Sequence, residues 1–546
     1  MKKWVDSRWF TRFLEIIPGF LAWSMLISPF VLAPIYPRIV AYFILAFSLY
    51  WFVKALNMMR NLLRGFPRLW GNMKVEWLER CKLASKNPKE LLNKLEQIYK
   101  KSKRKREWHD YEEIKNLQDN FDLIKNWADI YQVVVIANYT EDYDILEPTF
   151  EALVNSNYPN DRLIVVLAGE ARKKDDFENR KTLLEKKYKN KFNALLFYLH
   201  EDKPGEIKGK GSNIYSAGHK MWDFMKKYRP EIDPENVLVT TLDSDHIVHR
   251  EYFSRLTYKY IVDPNREHKS YQPVPILFNN IWDAPSVNRV MAVSNSFFQI
   301  IEAVRPFRLR TFASHSQSLK TLLITDFWSN QTIVEDGHQF WRTYFAYNGD
   351  HEMVALFIPV YQDCVLGNNL WETFKNQYMQ MRRWAWGISD FPFVIKNFIK
   401  HPEISYGEKF LQVFRLFSGH FSWSTASFLL AFAWVPLLFN KGFQDTVLAH
   451  NVTYYSSTIM NLAWITLFAN IWVFFALLPP RPKHIYRLKY LGMVLQWVMV
   501  PVVALFFSAI PALESQTRLM LGKYLDVFWS TPKVRKTAMT KESHGS

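Results

Sequence analysis

The stretch Val237–Asp245, "VLVTTLDSD", indicates how the middle of this chain folds. Its first six residues are apolar or β-branched, which predicts a short strand buried on both faces. Two carboxylates, Asp243 and Asp245, follow that strand directly. In an open α/β sheet, ligands bind outside the carboxyl ends of the strands. The stretch therefore predicts both a buried strand and a polar site at its end.

Similar stretches precede it along the chain. Strands are predicted at Tyr131–Ala137, Arg162–Ala168, Asn193–Tyr198 and Val237–Leu242, and helices between them at Leu146–Asn155 and Asn213–Lys227. Buried strands that alternate with helices predict a mainly parallel sheet with helices on both faces. The predicted fold class is thus an α/β, Rossmann-like domain within residues 129–410.

The chain is strongly apolar on either side of this domain. Nearly charge-free segments lie at Ile16–Ile35, Ile39–Val53, Phe417–Phe439, Ile459–Leu478 and Leu491–Leu513. Each is close to the roughly 20 residues that a helix needs to cross a bilayer. The first segment is too long for a secretory signal and lacks a small-residue cleavage site, so we expect a retained hairpin. The pattern predicts a multi-pass protein of the cell membrane.

Basic residues predict the orientation of these spans. The hairpin is preceded by Lys2, Lys3, Arg8 and Arg12 and followed by Arg60, Arg64, Arg68 and Lys74. By the positive-inside rule both flanks, and with them the polar middle, lie in the cytoplasm. The loop with Arg481, Lys483, Arg487 and Lys489 is also placed inside, and counting spans then puts Lys533, Arg535 and Lys536 outside. The side of the membrane on which this tail lies stays open.

Charge and cysteine content narrow the function classes. The net charge is +17, and the densest basic run is Lys100–Arg106. Beside anionic lipid such a run is interpreted as a solvated or lipid-facing helix surface, and no nucleic-acid partner is expected. Cys81 and Cys364 are far apart and have no neighbours at metal-binding spacing. This pattern argues against a disulfide framework or a zinc knuckle, and it fits a reduced cytosolic domain.

Further polar residues follow the other predicted strands. Tyr139 and Glu141 come after the first strand, Glu170 after the second, and the glycine-rich stretch Gly205–Lys220 after the third. That stretch contains Lys208 and Lys210, and ammonium and backbone amide groups there suit a phosphate-bearing ligand. The alternative is an ordinary glycine-rich loop capped by Ser212. Asp243 and Asp245 can present oxygens to one divalent cation, although such triplets also occur on ordinary turns.

Two more motifs lie downstream. Glu335 and Asp336 end a polar loop, and "QMRRWAWG" (Gln380–Gly387) stands where polar sequence gives way to the apolar segments. Arg382 and Trp386 are interpreted as anchors at the lipid headgroups, where such side chains are favoured. Phe391, Phe393 and Phe398 are expected on an interfacial helix against the bilayer.

Taken in order, these motifs resemble the processive family 2 glycosyltransferases, the membrane-embedded group of cellulose, chitin and hyaluronan synthases. The shared pattern is an acidic residue after the second strand, Asp-x-Asp after the fourth, a Glu-Asp pair, and Gln-x-x-Arg-Trp before membrane helices. The resemblance covers roughly residues 130–440. It implies a cytosolic glycosyltransferase domain of the GT-A type, inserted between transmembrane helices.

The resemblance also implies roles for individual residues. Asp336 would be the general base, Asp245 the main ligand of Mg²⁺ or Mn²⁺, and Asp243 a contact of the nucleotide. The nucleotide sugar would further meet Tyr139, Glu141, Glu170, Lys210 and Arg383, and the acceptor would meet Gln380, Trp384 and Glu335. Thr140 and Glu170 depart from the family's usual residues. The donor's base, uracil or guanine, therefore stays open.

The predicted organisation has six parts. They are a transmembrane hairpin (1–60), a basic helical linker (61–129), the glycosyltransferase domain (130–386), amphipathic interface helices (387–415), C-terminal transmembrane helices (416–513) and a basic tail (514–546). The implied activity is inverting and processive transfer from a UDP- or GDP-linked donor to a growing polysaccharide, with membrane lipid as a further partner, and whether the helices form an export channel stays open. The alternatives are non-processive transfer to a lipid-linked acceptor, and an inactive polysaccharide-export component.

Overall fold

The computed structural model of the chain describes residues 3–102, 108–483 and 485–531. Contacts divide the chain into two compact units. The sheet unit comprises Arg64–Ile281 and Asn295–Cys364, and the helical unit comprises residues 3–63, Trp282–Ser294 and Val365–Thr531.

The sheet unit contains one eight-stranded mixed sheet within the described residues. Its strands are β1 Tyr131–Ala137, β2 Leu163–Glu170, β3 Ala194–His200, β4 Val237–Asp243, β5 Ile247–Val248, β6 Lys269–Ile276, β7 Ser316–Ser318 and β8 Glu352–Tyr361. The spatial order is β3, β2, β1, β4, β7, β6, β8, β5. β1 to β4 pair in parallel, which confirms the predicted strands, and β7 pairs antiparallel with β4 and β6.

Some of the α-helices flank the sheet, and others form most of the helical unit. In chain order they are α1 Arg8–Leu32, α2 Pro37–Asn72, α3 Trp77–Lys86, α4 Pro88–Ser102, α5 Trp108–Asn116, α6 Tyr143–Val154, α7 Lys174–Tyr188, α8 Lys210–Tyr228, α9 Tyr252–Ile261, α10 Ser286–Ala303, α11 Leu319–Ile324, α12 Glu335–Ala346, α13 Leu370–Ala385, α14 Asp390–Lys400, α15 Tyr406–Phe432, α16 Lys441–Gln444, α17 Val447–Ala463, α18 Ile465–Leu477, α19 Lys489–Leu495, α20 Val500–Ala504 and α21 Ile510–Met520. The two helices predicted between strands correspond to α6 and α8, and α8 begins three residues earlier than expected.

The central strands are buried on both faces, as their continuous apolar sequence predicts. Successive side chains of a strand point to opposite faces. Val133 and Val135 of β1 pack in one core with Met221 of α8, whereas Val134 and Ile136 pack in the other core with Phe150 of α6. The sheet therefore separates two hydrophobic layers and holds the strand ends in a fixed register.

Within the described residues, five helical segments are long and apolar enough to cross a membrane. They run over Arg8–Leu32, Pro37–Asn72, Tyr406–Phe439, Val447–Leu477 and Lys489–Met520. Each overlaps one of the five predicted spans and begins before it. The last is irregular, because a π-helical turn at Leu505–Ala509 interrupts it four residues after Pro501.

Parts of the predicted basic segments lie outside the described residues. Of the run Lys100–Arg106, residues 103–106 are outside them, and Lys100 at the end of α4 pairs with Glu96 at 2.7 Å. The tail residues Lys533, Arg535 and Lys536, and Lys2 at the other end, are outside them as well.

The interpretation of Arg382 and Trp386 as anchors at the lipid headgroups is wrong, because protein covers both side chains. Trp386 is 4% exposed. Phe391 and Phe398 lie on α14 and are buried as well, and their place on an interfacial helix stays a prediction. Arg382 donates a hydrogen bond of 2.7 Å to Glu514 of α21. Because α13 packs along α21, Arg382 meets a carboxylate of the protein, and the sequence near Arg382 gives no sign of that distant partner.

Within the sheet unit, a buried ion network joins α5 to α3 and α9. Asp110 of α5 lies 3.1 Å from Arg80, 3.2 Å from Arg255 and 3.3 Å from Lys259. Burial raises the pKa of Asp110, but the charges of Arg255, Lys259 and Arg80 outweigh it and hold that pKa well below its ordinary value. The contribution of Asp110 to stability is therefore present above its unfolded pKa of 3.8 and is lost as the pH falls further.

We expect Asp110→Ala to lower the free energy of unfolding by about 3–5 kcal/mol, because three cations are left buried without their shared carboxylate. Thermal unfolding of the purified protein in detergent measures the loss. Glu79→Ala is the matched control, since Glu79 is 62% exposed and its 2.7 Å pair with Lys82 lies at the surface. Equal losses in both variants would contradict a structural role of the network.

Candidate functional site

Three strands of the sheet end at the same edge. Ala137 of β1 is in register with Ala168 of β2 on one side and with Asp243 of β4 on the other. Polar residues that follow these strands are therefore neighbours in space. The predicted site residues of the sheet unit are gathered along this edge.

The middle residue of the Asp-Ser-Asp turn joins two strand ends. Ser244 donates a hydrogen bond of 2.8 Å to the carbonyl of Ala137 and accepts one of 3.1 Å from Asn138. Thr149 of α6 donates to the Ser244 carbonyl at 2.8 Å. The serine thus fixes the turn that carries Asp243, whose side chain is 37% exposed, and Asp245, which is fully buried.

Lys210 joins the strand edge to a second motif. Its Nζ lies 2.9 Å from Oδ1 of Asp243, 2.8 Å from Oδ2 of Asp336 and 3.6 Å from Oε1 of Glu335. The lysine side chain is 7% exposed. We call Lys210, Asp243, Glu335 and Asp336 the Lys210 cluster. Three predicted acidic site residues, one after β4 and two at the start of α12, therefore meet around the ammonium group of Lys210, which is itself a predicted site residue.

Glycines bring the start of α8 to this position. Gly209 has φ +149°, which favours a residue without a side chain. A Cβ atom on Gly211 would lie 2.7 Å from the carbonyl oxygen of Ser329, in the loop before α12. The expected Ser212 cap is absent, because Ser212 donates to the carbonyl of Ile207 at 2.6 Å. The glycine-rich stretch thus allows Lys210 to approach Asp336 closely.

The charges of the cluster stabilise one another. Burial lowers the pKa of Lys210, but Asp243, Asp336 and Glu335 outweigh it and raise that pKa above its ordinary value. Burial raises the pKa of Asp243, but Lys210 and His246 outweigh it and hold that pKa well below its ordinary value. At neutral pH the cluster contains a charged ammonium and an ionised Asp243.

Asp243, Asp245 and His246 each offer one ligand atom, and these atoms lie within 4.8 Å of one another. Nδ1 of His246 accepts a hydrogen bond of 3.1 Å from the Asp243 amide, so the ring proton is assigned to Nε2, which lies 3.4 Å from Oδ2 of Asp243. The imidazole therefore supports Asp243. The two carboxylates are the remaining donors, and carboxylate oxygens suit Mg²⁺ and Mn²⁺.

Asp336 lies in the first turn of α12, where an acidic side chain is favourable. Thr311 donates to its carbonyl at 2.6 Å. Nδ1 of His315 lies 3.7 Å from Oδ1 of Asp336, and burial lowers the pKa of His315. His315 is therefore neutral at pH 7. Sequence reasoning missed this histidine, because nothing near it resembles a motif.

A second group lies at the end of β2. Glu170 pairs with Arg172, whose guanidinium lies 4.9 Å from the ring centre of Tyr139. Nε of Arg172 lies 3.7 Å from Asp202. We call Tyr139, Glu170, Arg172 and Asp202 the Arg172 cluster. Burial raises the pKa of Glu170, and Arg172 offsets part of that rise. Sequence reasoning missed Arg172, although it stands two residues after Glu170.

Glu141 belongs to the loop between the clusters. Its Oε2 accepts a hydrogen bond of 2.9 Å from the Tyr139 amide, and its main chain accepts one of 3.0 Å from Asn138. The carboxylate therefore folds back on its own loop. In this structure Glu141 fixes the position of Tyr139.

The remaining predicted residues lie on α13 of the helical unit. Arg383 places its guanidinium 4.3 Å from the ring of Phe528, and Trp384 packs against the apolar group of Val290, Met381 and Val503. Among the described residues, Oε1 of Gln380 and Nε of Arg383 are buried and have no hydrogen-bond partner. Buried polar groups are normally paired, so these two atoms are suited to a polar ligand.

Comparison with known proteins yields structural neighbours alone. No protein-family model matches the chain, and no curated protein matches it. Solved structures that resemble it include a mannosyltransferase, PcManGT from Pyrobaculum calidifontis in complex with GDP-Man and Mn²⁺, with 12% identity over 62% of this chain and 87% of that chain and a TM-score of 0.36. Another is S. aureus TarS 1-349 in complex with UDP-GlcNAc, with 12% identity over 72% and 93% and a TM-score of 0.31. The function of this chain has to be inferred from its own side chains.

We expect Asp245→Asn to weaken Mn²⁺ binding by about tenfold or more, since even partners outside the ligand shell of a metal change its affinity by roughly 10–100-fold. Mn²⁺ titration followed by electron paramagnetic resonance, on purified protein with GDP or UDP present, measures the change. Asp223→Asn is the matched control and should leave Mn²⁺ binding unchanged, because Asp223 is 70% exposed and pairs with Lys226 at the surface. An unchanged affinity in Asp245→Asn would exclude Asp245 as the main ligand.

Proposed function

We propose that this chain is a membrane-embedded, inverting glycosyltransferase of the GT-A type that transfers a sugar from a UDP- or GDP-linked donor to a growing polysaccharide. The observation that carries the proposal is the position of Lys210 between Asp243 and Asp336, at 2.9 Å and 2.8 Å. A nucleotide-contacting carboxylate and a general base belong within reach of one donor sugar, and a shared ammonium between them suits that arrangement.

The proposed chemistry is a single displacement. Asp336 takes the proton of the acceptor hydroxyl as its oxygen bonds to the anomeric carbon, and the bond from that carbon to the diphosphate breaks. Attack opposite the leaving group inverts the anomeric centre and gives a β-linkage from an α-linked donor. Lys210, already charged in the cluster, would turn toward the departing diphosphate, whose negative charge grows in the transition state.

The binding groups follow from the same proposal. Asp245 would be the main ligand of Mg²⁺ or Mn²⁺, which supplies positive charge to the diphosphate when bound, and Asp243 would meet the nucleotide beside it. Tyr139, Glu141 and Glu170 would lie at the nucleotide's base. The Asp363 amide donates to Oδ2 of Asp245 at 2.8 Å, which holds this carboxylate in one orientation at the strand edge.

The proposed acceptor contacts come from α13 and from the start of α12. Arg383 would meet the diphosphate, and Gln380 and Trp384 of α13 and Glu335 of α12 would meet the acceptor sugar. The unpartnered atoms of Gln380 and Arg383, among the residues described, support this role, as does the aromatic face of Trp384, which can stack on a sugar ring. We propose a multi-pass protein with the sheet unit in the cytoplasm, so that the polymer enters the bilayer beside α13. The proposal keeps the division of the chain into the six parts predicted from its sequence.

We expect Asp336→Asn to slow sugar transfer by about 10²–10⁴-fold, the usual contribution of a positioned general base, while binding of the donor is retained. Purified protein in detergent, assayed with UDP- and GDP-linked radiolabelled sugars, measures transfer, and calorimetry measures binding. Asp223→Asn is the control, because Asp223 is 70% exposed and pairs with Lys226 alone among the described residues. Full activity in Asp336→Asn would contradict its role as the base.

We expect the labelled product to be a polymer of many sugars, because Gln380 and Trp384 belong to the same helical unit as the candidate membrane-spanning segments. Sizing the product by gel filtration measures its length. A product with one added sugar would favour the lipid-linked alternative, and the absence of transfer or hydrolysis with every donor would favour an inactive export component.

A further inference from the structure

The Arg172 cluster contains a donor and an acceptor that the proposed transfer step does not use. Arg172 contacts Glu170 through Nη2, Asp202 through Nε and Tyr139 through its face. Throughout the part of the chain that the structure describes, Nη1 of Arg172 has no protein acceptor, and Oε1 of Glu170 has no protein donor. The Glu170 side chain is 6% exposed and that of Arg172 is 34% exposed, so the pair lies at the end of β2 with the arginine open to solvent.

The pair has supporting contacts on both sides. Asp202, which supports Arg172, is itself held by Lys208 at 2.8 Å. The main chain of Tyr139 is fixed at its amide by Glu141 at 2.9 Å and at its carbonyl by Arg180 at 3.1 Å. A guanidinium, a carboxylate and an aromatic ring therefore stand beside one another. Such a set binds a planar ring through its face and through its polar edge.

From this set we infer that the donor is a guanosine diphosphate sugar and that Glu170 and Arg172 select its base. The inference rests on the proposed function. Guanine presents, along one edge, the acceptor O6 followed by the donors N1–H and N2–H₂. An N–H group of Arg172 meets the acceptor, and the two carboxylate oxygens of Glu170 meet the donors. All three polar groups of the base are then satisfied.

Other bases fit the same pair less well. Uracil presents O4, N3–H and O2, so its O2 would face a carboxylate oxygen, and two acceptors without a proton between them repel. Adenine and cytosine would place an amino donor against the N–H groups of Arg172. A buried polar group left without a partner typically costs about 1–3 kcal/mol. The pair should therefore discriminate clearly between guanine and uracil.

The test compares nucleoside diphosphates by calorimetry on the full-length protein in detergent with Mn²⁺. We expect GDP to bind about tenfold or more tightly than UDP, and inosine diphosphate, which lacks the 2-amino group, to bind about tenfold more weakly than GDP. Glu170→Gln replaces one acceptor oxygen with a donor that can meet O2 of uracil. The GDP-to-UDP affinity ratio should shift toward UDP by about tenfold or more.

Glu178→Gln is the matched control and should leave this ratio unchanged, because Glu178 of α7 pairs with Lys181 at 3.2 Å. UDP binding as tightly as GDP, or inosine diphosphate binding as tightly as GDP, would overturn the guanine inference and leave the proposed function intact. If no nucleoside diphosphate binds, the proposed function fails as well. The inosine comparison uses the unaltered chain, so it decides the matter even where Glu170→Gln does not fold.

Discussion

The Lys210 ammonium among three carboxylates is the interaction on which the rest of the site depends. Lys210 and three acidic side chains are gathered at one strand edge, and without the lysine the negative charge of Asp243 would lie beside Glu335 and Asp336 with no cation between them. Burial of the lysine alone disfavours its charge, so the cation and the carboxylates require each other. The glycine-rich start of α8 is the structural condition for this contact, since a side chain at Gly211 would meet the Ser329 carbonyl.

The sheet supplies a rigid frame for these charges. β1, β2 and β4 are parallel, in register and buried on both faces, so their carboxyl ends form one edge that cannot slip without exposing apolar side chains. Ser244 then fixes the turn after β4 to the end of β1 at 2.8 Å. Positions along this edge are set by backbone pairing. The carboxylates are thereby held in place before any ligand binds, which is the condition for electrostatic stabilisation of a transition state.

Much of the fold followed from local sequence. The strands β1 to β4 and the five apolar segments were predictable because each depends on a continuous run of apolar or β-branched residues. The lipid anchors were not, because Arg382 and Trp386 look alike in sequence whether they face headgroups or protein. Arg382 faces protein because it pairs with Glu514 of α21, which lies far along the chain. His315 was missed for the same reason, because its neighbour Asp336 belongs to another element, whereas Arg172 was missed although its partner Glu170 stands two residues before it.

The sequence by itself determined the secondary elements of the sheet, the apolar segments and the order of the motifs, since these are encoded by neighbouring residues. The tertiary structure decided which motifs meet. It placed Lys210 against both Asp243 and Asp336, assigned His246 to the support of Asp243, and paired Glu170 with Arg172. Contacts between charges depend on distances of a few ångströms between residues remote in the chain, and those distances are fixed by packing.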